Sequence, residues 1–274
     1  DINWSTSQTS EGIEDKWSVS MPSELTGVLT ETMAPGDGNA FDVLSQLPKN
    51  IPSVTVYKLK NPQVAWRALL LTAQKLLDPM AGKVLTESSS LFFEPYGIRV
   101  PESFLNSVGS TITTASFDIE GEKSVVISEV RDLPTVKASF LTEIKPLKEP
   151  WPNTQFEQWR SADGDYAVAF ANSWVILGDN ESVGDCLSEK PDGGFGSSLS
   201  RKPSNDNKVS VISFGKDSTV TLQVVNLLAR EGHGDTQVVS TYFTETRFTK
   251  TGMERRTVSD LGFIGWMIAQ LAAE

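Results

Sequence analysis

Between positions 51 and 77 the apolar residues change from every second position to every third or fourth, which predicts a strand followed by a helix. Ser53-Val54-Thr55-Val56-Tyr57-Lys58-Leu59 is β-branched and aromatic, behind a Pro52 that restricts the backbone leading into it. Asn61-Pro62 suits a helix start: Asn accepts a backbone N–H at the cap, and Pro at the first helical position gives up a donor that lacks an intrahelical partner. From there Ala65, Leu69, Thr72 and Leu76 form an apolar stripe, and Gln63, Arg67, Gln74 and Asp78 the opposite, polar one. The pattern returns 156 positions later. A strand over 209–214 precedes Lys216-Asp217, in the place of Lys60-Asn61, and a helix to Leu228 carries the polar stripe Thr219, Gln223 and Arg230.

The remaining chain supplies hairpins and short helices. Residues 3–9 and 13–20 predict two strands about Ser10-Glu11-Gly12, anchored by Ile13, Trp17 and Val19. Pro22 opens a helix with Leu25, Val28, Leu29 and Met33 on its inner side, and a turn of helix over 41–47 follows the loop at 35–39. After Leu77, Asp78-Pro79 starts a helical insert containing Val84, Leu85, Leu91 and Phe92, stopped by Glu94-Pro95-Tyr96-Gly97 and followed by a short helix over 101–108. Strands over 111–118 and 123–131 lead to a helix over 134–144. Three prolines between Pro146 and Pro152 mark a boundary, since Pro continues no regular element. Beyond it come strands over 154–159, 166–170 and 173–177 and a helix holding Val183, Cys186 and Leu187. An exposed, mobile loop is expected over 189–207. Strands over 237–249 and 253–259 form a hairpin, and Leu261, Ile264, Ile268 and Leu271 give a closing helix.

Both halves therefore follow one order: strand-strand-helix, strand-helix, strand-strand-helix. Leu25 and Leu29 precede Val183 and Leu187 by 158 positions. The expectation is an α+β protein with antiparallel sheets carrying helices on one face. It has two similar halves, 1–145 with the insert and 151–274 without it. Internal duplication explains the recurrence, and so does chance, because α+β chains repeat such orders readily.

Composition narrows the function classes. A chain of 274 residues with 39% apolar positions, seven Trp and thirteen Phe fills a sizeable core. Its net charge of −11 argues against nucleic acid or an anionic membrane as partner, both of which require a basic surface. No stretch approaches the roughly 18 continuous apolar residues of a spanning helix. A single Cys, Cys186, excludes an internal disulfide and fits either the cytosol or a bacterial periplasm. The sequence begins at Asp1, as a processed or a trimmed chain does.

No motif assembles a catalytic or metal site, and no cofactor is expected. His233, the sole histidine, sits in Glu231-Gly232-His233-Gly234-Asp235, where a general base oriented by Asp235 lacks any placed nucleophile and a solvated helix end is the simpler account. Asp163-Gly164-Asp165 and Asp37-Gly38-Asn39 resemble fragments of calcium loops but lack the closing ligands, so turns account for both. Asp192-Gly193-Gly194-Phe195-Gly196 lacks the context of a phosphate cradle. Cys186 reads as a small core residue. The sequons at Asn3 and Asn180 are too short to carry weight.

Three stretches carry a resemblance: the strand at 51–57 running into Asn61-Pro62, Trp174-Val175-Ile176-Leu177-Gly178-Asp179, and Gly252-Met253-Glu254-Arg255-Arg256-Thr257 with Ser259-Asp260-Leu261-Gly262. Together they resemble an uncharacterised family of exported bacterial proteins, a domain of unknown function, from about residue 45 to the end. The resemblance transfers no activity or site and implies a periplasmic or secreted location. The expected function is an extracytoplasmic binding or interaction module, with a hydrolase using paired carboxylates as the alternative. A protein or peptide partner has one sequence-level candidate: the strand over 237–249, where Tyr242, Phe243 and Phe248 either grip a peptide added at a sheet edge or pack beneath the closing helix.

Overall fold

The structure, a computed structural model, describes residues 1–37, 43–118, 121–147, 156–171, 173–190, 193–199, 208–217 and 240–272. The N-terminal half contributes β1 (Ile2–Thr9), β2 (Gly12–Ser20), α1 (Ser23–Thr32), β3 (Ser53–Lys58), α2 (Pro62–Leu76), α3 (Pro79–Glu87), α4 (Pro101–Ser107), β4 (Val108–Ser116), β5 (Ser124–Val130) and α5 (Leu133–Ala138). The C-terminal half contributes β6 (Lys145–Pro146), β7 (Glu157–Arg160), β8 (Tyr166–Phe170), β9 (Trp174–Asp179), α6 (Asn180–Leu187), α7 (Gly194–Ser198), β10 (Val211–Asp217), β11 (Ser240–Thr249), β12 (Gly252–Ser259) and α8 (Gly262–Ala272).

Every strand joins one antiparallel, twelve-stranded sheet in the order β1-β2-β12-β11-β10-β3-β4-β5-β9-β8-β7-β6. The fold is α+β, with the antiparallel strands the alternation predicts. The halves do not keep separate sheets: β1–β2 pairs onto β12, and β8–β9 pairs onto β5. From the β10–β3 centre each direction runs through three strands of one half and then a hairpin of the other, and on the β3 side β7 and β6 extend the sheet further. Thr55 and Ser213 face each other at that centre with hydroxyls 3.0 Å apart.

The helices cover both faces of the sheet, which corrects the expectation of one. Strands β5, β8 and β9 each carry a run of consecutive apolar, buried residues, Val125–Ile127, Ala167–Phe170 and Val175–Leu177, the signature of a strand buried on both sides. Val126, Leu177 and Val168 point toward Phe104 of α4 and Val136 of α5, while Val125, Ile127 and Ile176 pack with Val183 and Cys186 of α6 and Phe195 of α7. The loop expected over 189–207 contains α7, whose Phe195 is buried edge-on to Phe214, so this part is core. The helix expected over 134–144 is the shorter α5, capped by Asp132, and Phe140 bridges to Ile98 instead. The repeat helix expected after Asp217 lies outside the described residues.

The peptide-edge idea is overturned. β11 lies inside the sheet between β12 and β10, Phe243 is buried, and Phe248 packs beside Leu29 and Met33. A run rich in Thr and Glu resembled an edge because its hydroxyls pair across strands: Thr244 meets Thr257 at 3.0 Å. Glu245, also buried, lies between Arg247 and Arg256.

Candidate functional site

A large apolar concavity lies where α2 crosses the sheet. Asn61 caps α2 by accepting the Val64 N–H at 3.2 Å, and Pro62 takes the first position, as the sequence predicts. Ala65 and Ala68 are buried and let the first turns approach closely, Ala65 packing with Leu29, Met33 and Leu59. The second half of α2 does not follow the expected stripe. Leu69 and Leu76 are exposed, and residues 74–80 are exposed without interruption.

There the chain turns back. Asp78 caps α3 by accepting the Met80 and Ala81 N–H groups at 3.0 and 3.1 Å. Gly82, the only buried residue of α3, sits against Gln74, where an added Cβ would come within 3.0 Å of the backbone. Two 3-10 turns, Ser89–Phe92 and Glu94–Tyr96, return the chain to the sheet. They bring Phe92 and Phe93 edge-on to Trp66, with centroids 6.3 and 5.2 Å away. The Tyr166 hydroxyl donates to the Tyr96 carbonyl and ties this return to β8.

The result is an open cavity of about 570 Å³. Tyr57, Ile112, Thr114 and Val126 of the sheet make its inner wall, and Trp66, Leu69, Leu70 and Ala73 of α2 cover it. Phe92, Phe93 and Tyr96 close one end, and Phe104 and Leu105 of α4 lie beneath. No charged side chain lines it. Burial raises the Tyr57 phenol above its ordinary value, with a hydrogen bond to Thr114 pulling the other way, so Tyr57 is neutral at physiological pH. Outside, Arg67 of α2 is paired with Glu102 of α4, Nε to Oε1 at 2.8 Å, and this pairing holds Glu102 below the usual carboxylate range. The arrangement desolvates an apolar body and offers it two hydroxyls.

A second cavity, about 540 Å³, lies on the same sheet face over β2 and β12. Its one carboxylate, Asp15, accepts the Trp4 indole N–H at 3.0 Å and the Phe263 N–H of α8 at 2.7 Å, so both oxygens serve the structure. On the opposite face Glu14 meets Arg256 at 2.5 Å and Lys16 at 2.8 Å. The Lys16 contact is the largest cause holding its carboxyl below the ordinary value.

The remaining sequence candidates fall apart as sites or lie elsewhere. His233, Asp235, Asn39 and Asp192 lie outside the described residues. Asp163 accepts the Ser161 hydroxyl and the Asp165 N–H around Gly164 in a turn, the Ser161 bond chiefly lowering its pKa. Gly194 sits where a Cβ would lie 2.3 Å from the Ser45 carbonyl, so close chain packing explains the glycines there. Cys186 is buried and its thiol pushed up to about 12 by desolvation, which makes it a core residue. Asn3 sits on exposed β1 and Asn180 opens α6. Among the described residues no three His, Cys, Asp or Glu side chains are grouped to hold a metal.

No protein-family model, curated protein or solved structure matches the chain. Sequence reasoning missed the cavity because it read this stretch only as a helical insert, with no surface for the insert to face. The signal was the density of aromatics in the insert, Phe92, Phe93 and Tyr96, which the structure gathers with Trp66 around the cavity.

Proposed function

We propose that this protein is an extracytoplasmic binding module that holds a small apolar ligand in the cavity beneath α2. The observation that carries the reading is the cavity's lining: aromatic and aliphatic on all sides, without charge, and with the hydroxyls of Tyr57 and Thr114 on the sheet wall. Its volume falls within the roughly 300–1,000 Å³ typical of small-molecule sites. Binding is favoured over the carboxylate hydrolase because neither of these two cavities brings two carboxylates together, and among the described residues the carboxyls with shifted pKa values are all lowered, whereas a general acid requires a raised one. The location rests on the resemblance to exported bacterial proteins, and fractionating cells that express the natural precursor tests it: recovery in the cytoplasm refutes it.

The ligand site is tested with the neutral fluorophore N-phenyl-1-naphthylamine and the full chain. Saturable binding is expected, weakened about tenfold or more by Ala73→Phe, which fills the space under α2 at a cost of about 1.4 kcal/mol in affinity. Equal binding by wild type and variant, or none by either, overturns the site. The mirrored strand order further supports duplication with exchanged hairpins. Superposing β3-β4-β5-β9-β8 on β10-β11-β12-β2-β1 checks it, and a mismatch of strand registers sinks the idea.

A further inference from the structure

We infer that the α2–α3 hairpin docks on a lipid surface and that the cavity takes an acyl chain from it, an inference that rests on the binding reading above. The hairpin leaves the sheet and exposes Leu76, Leu77, Met80, Val84, Leu91 and Phe92, with Met80 78% and Leu76 68% accessible. Isolated apolar side chains on a surface are ordinary, but a contiguous group marks an interaction site. This group is continuous with the cavity, since Leu69 and Phe92 line the cavity and are also exposed.

Two observations select a lipid surface as the occupant. The first is charge. The chain's total of −11 opposes an anionic headgroup layer, but residues 74–92, which carry this apolar group, balance Lys75 and Lys83 against Asp78 and Glu87, so this end does not share in that repulsion. The second is the cavity's lack of charged lining: a charged headgroup buried there would lose its hydration without a partner, so an amphiphile enters tail first and leaves its head at the mouth. No helix among the described residues is long and apolar enough to span a bilayer, and the docking inferred is peripheral, with apolar side chains entering the interface.

The experiment is co-sedimentation of the full chain with phosphatidylcholine vesicles, with and without added phosphatidylglycerol, beside oleate displacement of N-phenyl-1-naphthylamine. Binding to both vesicles and displacement by oleate are expected. The double change Leu76→Asp with Met80→Asp is expected to weaken vesicle binding roughly tenfold or more, since it removes the two most exposed apolar side chains of the group and puts carboxylates in their place. Fluorophore binding and thermal unfolding should stay unchanged in that variant. Fluorophore binding without vesicle binding overturns the docking while leaving the cavity reading intact; absence of fluorophore binding overturns the cavity reading itself. A self-association that the double change dissolves, with no vesicle binding by wild type, assigns the patch to a second copy and overturns the lipid surface.

Discussion

Replacing Asp15 with Ala removes an acceptor that joins three elements. Asp15 is 2% exposed on β2, where it fixes the Trp4 indole of β1 and caps α8 through Phe263. Trp4, Trp17 and Phe263 form one aromatic group, their centroids 5.1 to 5.8 Å apart, and Asp15 binds two of its members. Loss of a helix cap, here the bond to the Phe263 N–H, costs about 1 kcal/mol, and loss of the bond to the partly exposed Trp4 indole costs about 0.5–1.5 kcal/mol. The expected loss is about 1.5–2.5 kcal/mol. For a chain of this size that lowers Tm by about 3–10 °C, at roughly 2–4 °C per kcal/mol. Urea unfolding followed by near-ultraviolet dichroism measures the loss and the aromatic packing together. Trp4→Phe keeps a ring and deletes the indole donor, so Asp15→Ala should cost about 0.5–1.5 kcal/mol less in that background. A loss below about 0.5 kcal/mol, the level of a neutral surface change, or the same loss in both backgrounds, would refute the reasoning.

Two further changes probe the other end and the reverse face of the sheet. The Lys137 ammonium lies 2.5 Å from Glu157 and over the Phe170 ring at 5.2 Å, and it is the main cause of the lowered Glu157 pKa. A lowered folded-state value stabilises above the ordinary carboxylate range and is lost as pH falls through the folded value, so Lys137→Met should flatten the fall in stability below about pH 4.5; an unchanged acid limb in urea titrations counts against it. Gly194→Ala combines a φ of +64° with a Cβ aimed at the Ser45 carbonyl, and should cost more than about 1 kcal/mol. A variant as stable as wild type in urea would show that the backbone beside α7 yields.

What the sequence made legible was local. Asn61-Pro62 capped the predicted helix, and the hairpins fell where Gly12, Gly121 and Gly252 turn the chain. What it hid was tertiary. Periodicity records that Leu69 and Leu76 lie on one side of a helix, but not that both stay exposed, Leu69 at the open cavity and Leu76 at the turn into α3. The same limit hid the burial of Phe195 within a Gly/Ser-rich segment, because its partner Phe214 comes from a distant strand. β11 was misplaced at an edge because its Thr and Glu are satisfied by strands on either side, and pairing across strands leaves no mark on a single strand.

The position of the cavity follows from a gradient along one row of the sheet. Asp15, Thr257, Thr244, Ser213, Thr55 and Thr114 stand side by side on one face, and the row continues as Val126, Leu177 and Val168. The hydroxylated strands meet their hydrogen-bonding needs across the row, as Thr55 does with Ser213. The aliphatic strands need full cover and receive it from Phe104 and Val136. Thr114 and Val126 are adjacent at the step between these regimes, and both belong to the cavity wall. Full apolar cover there would leave the Thr114 hydroxyl with Tyr57 as its chief partner, while open water would wet Val126. An apolar ligand carrying one hydrogen-bonding group suits the step better than either, which gives a physical reason for α2 to leave room at this place on the sheet.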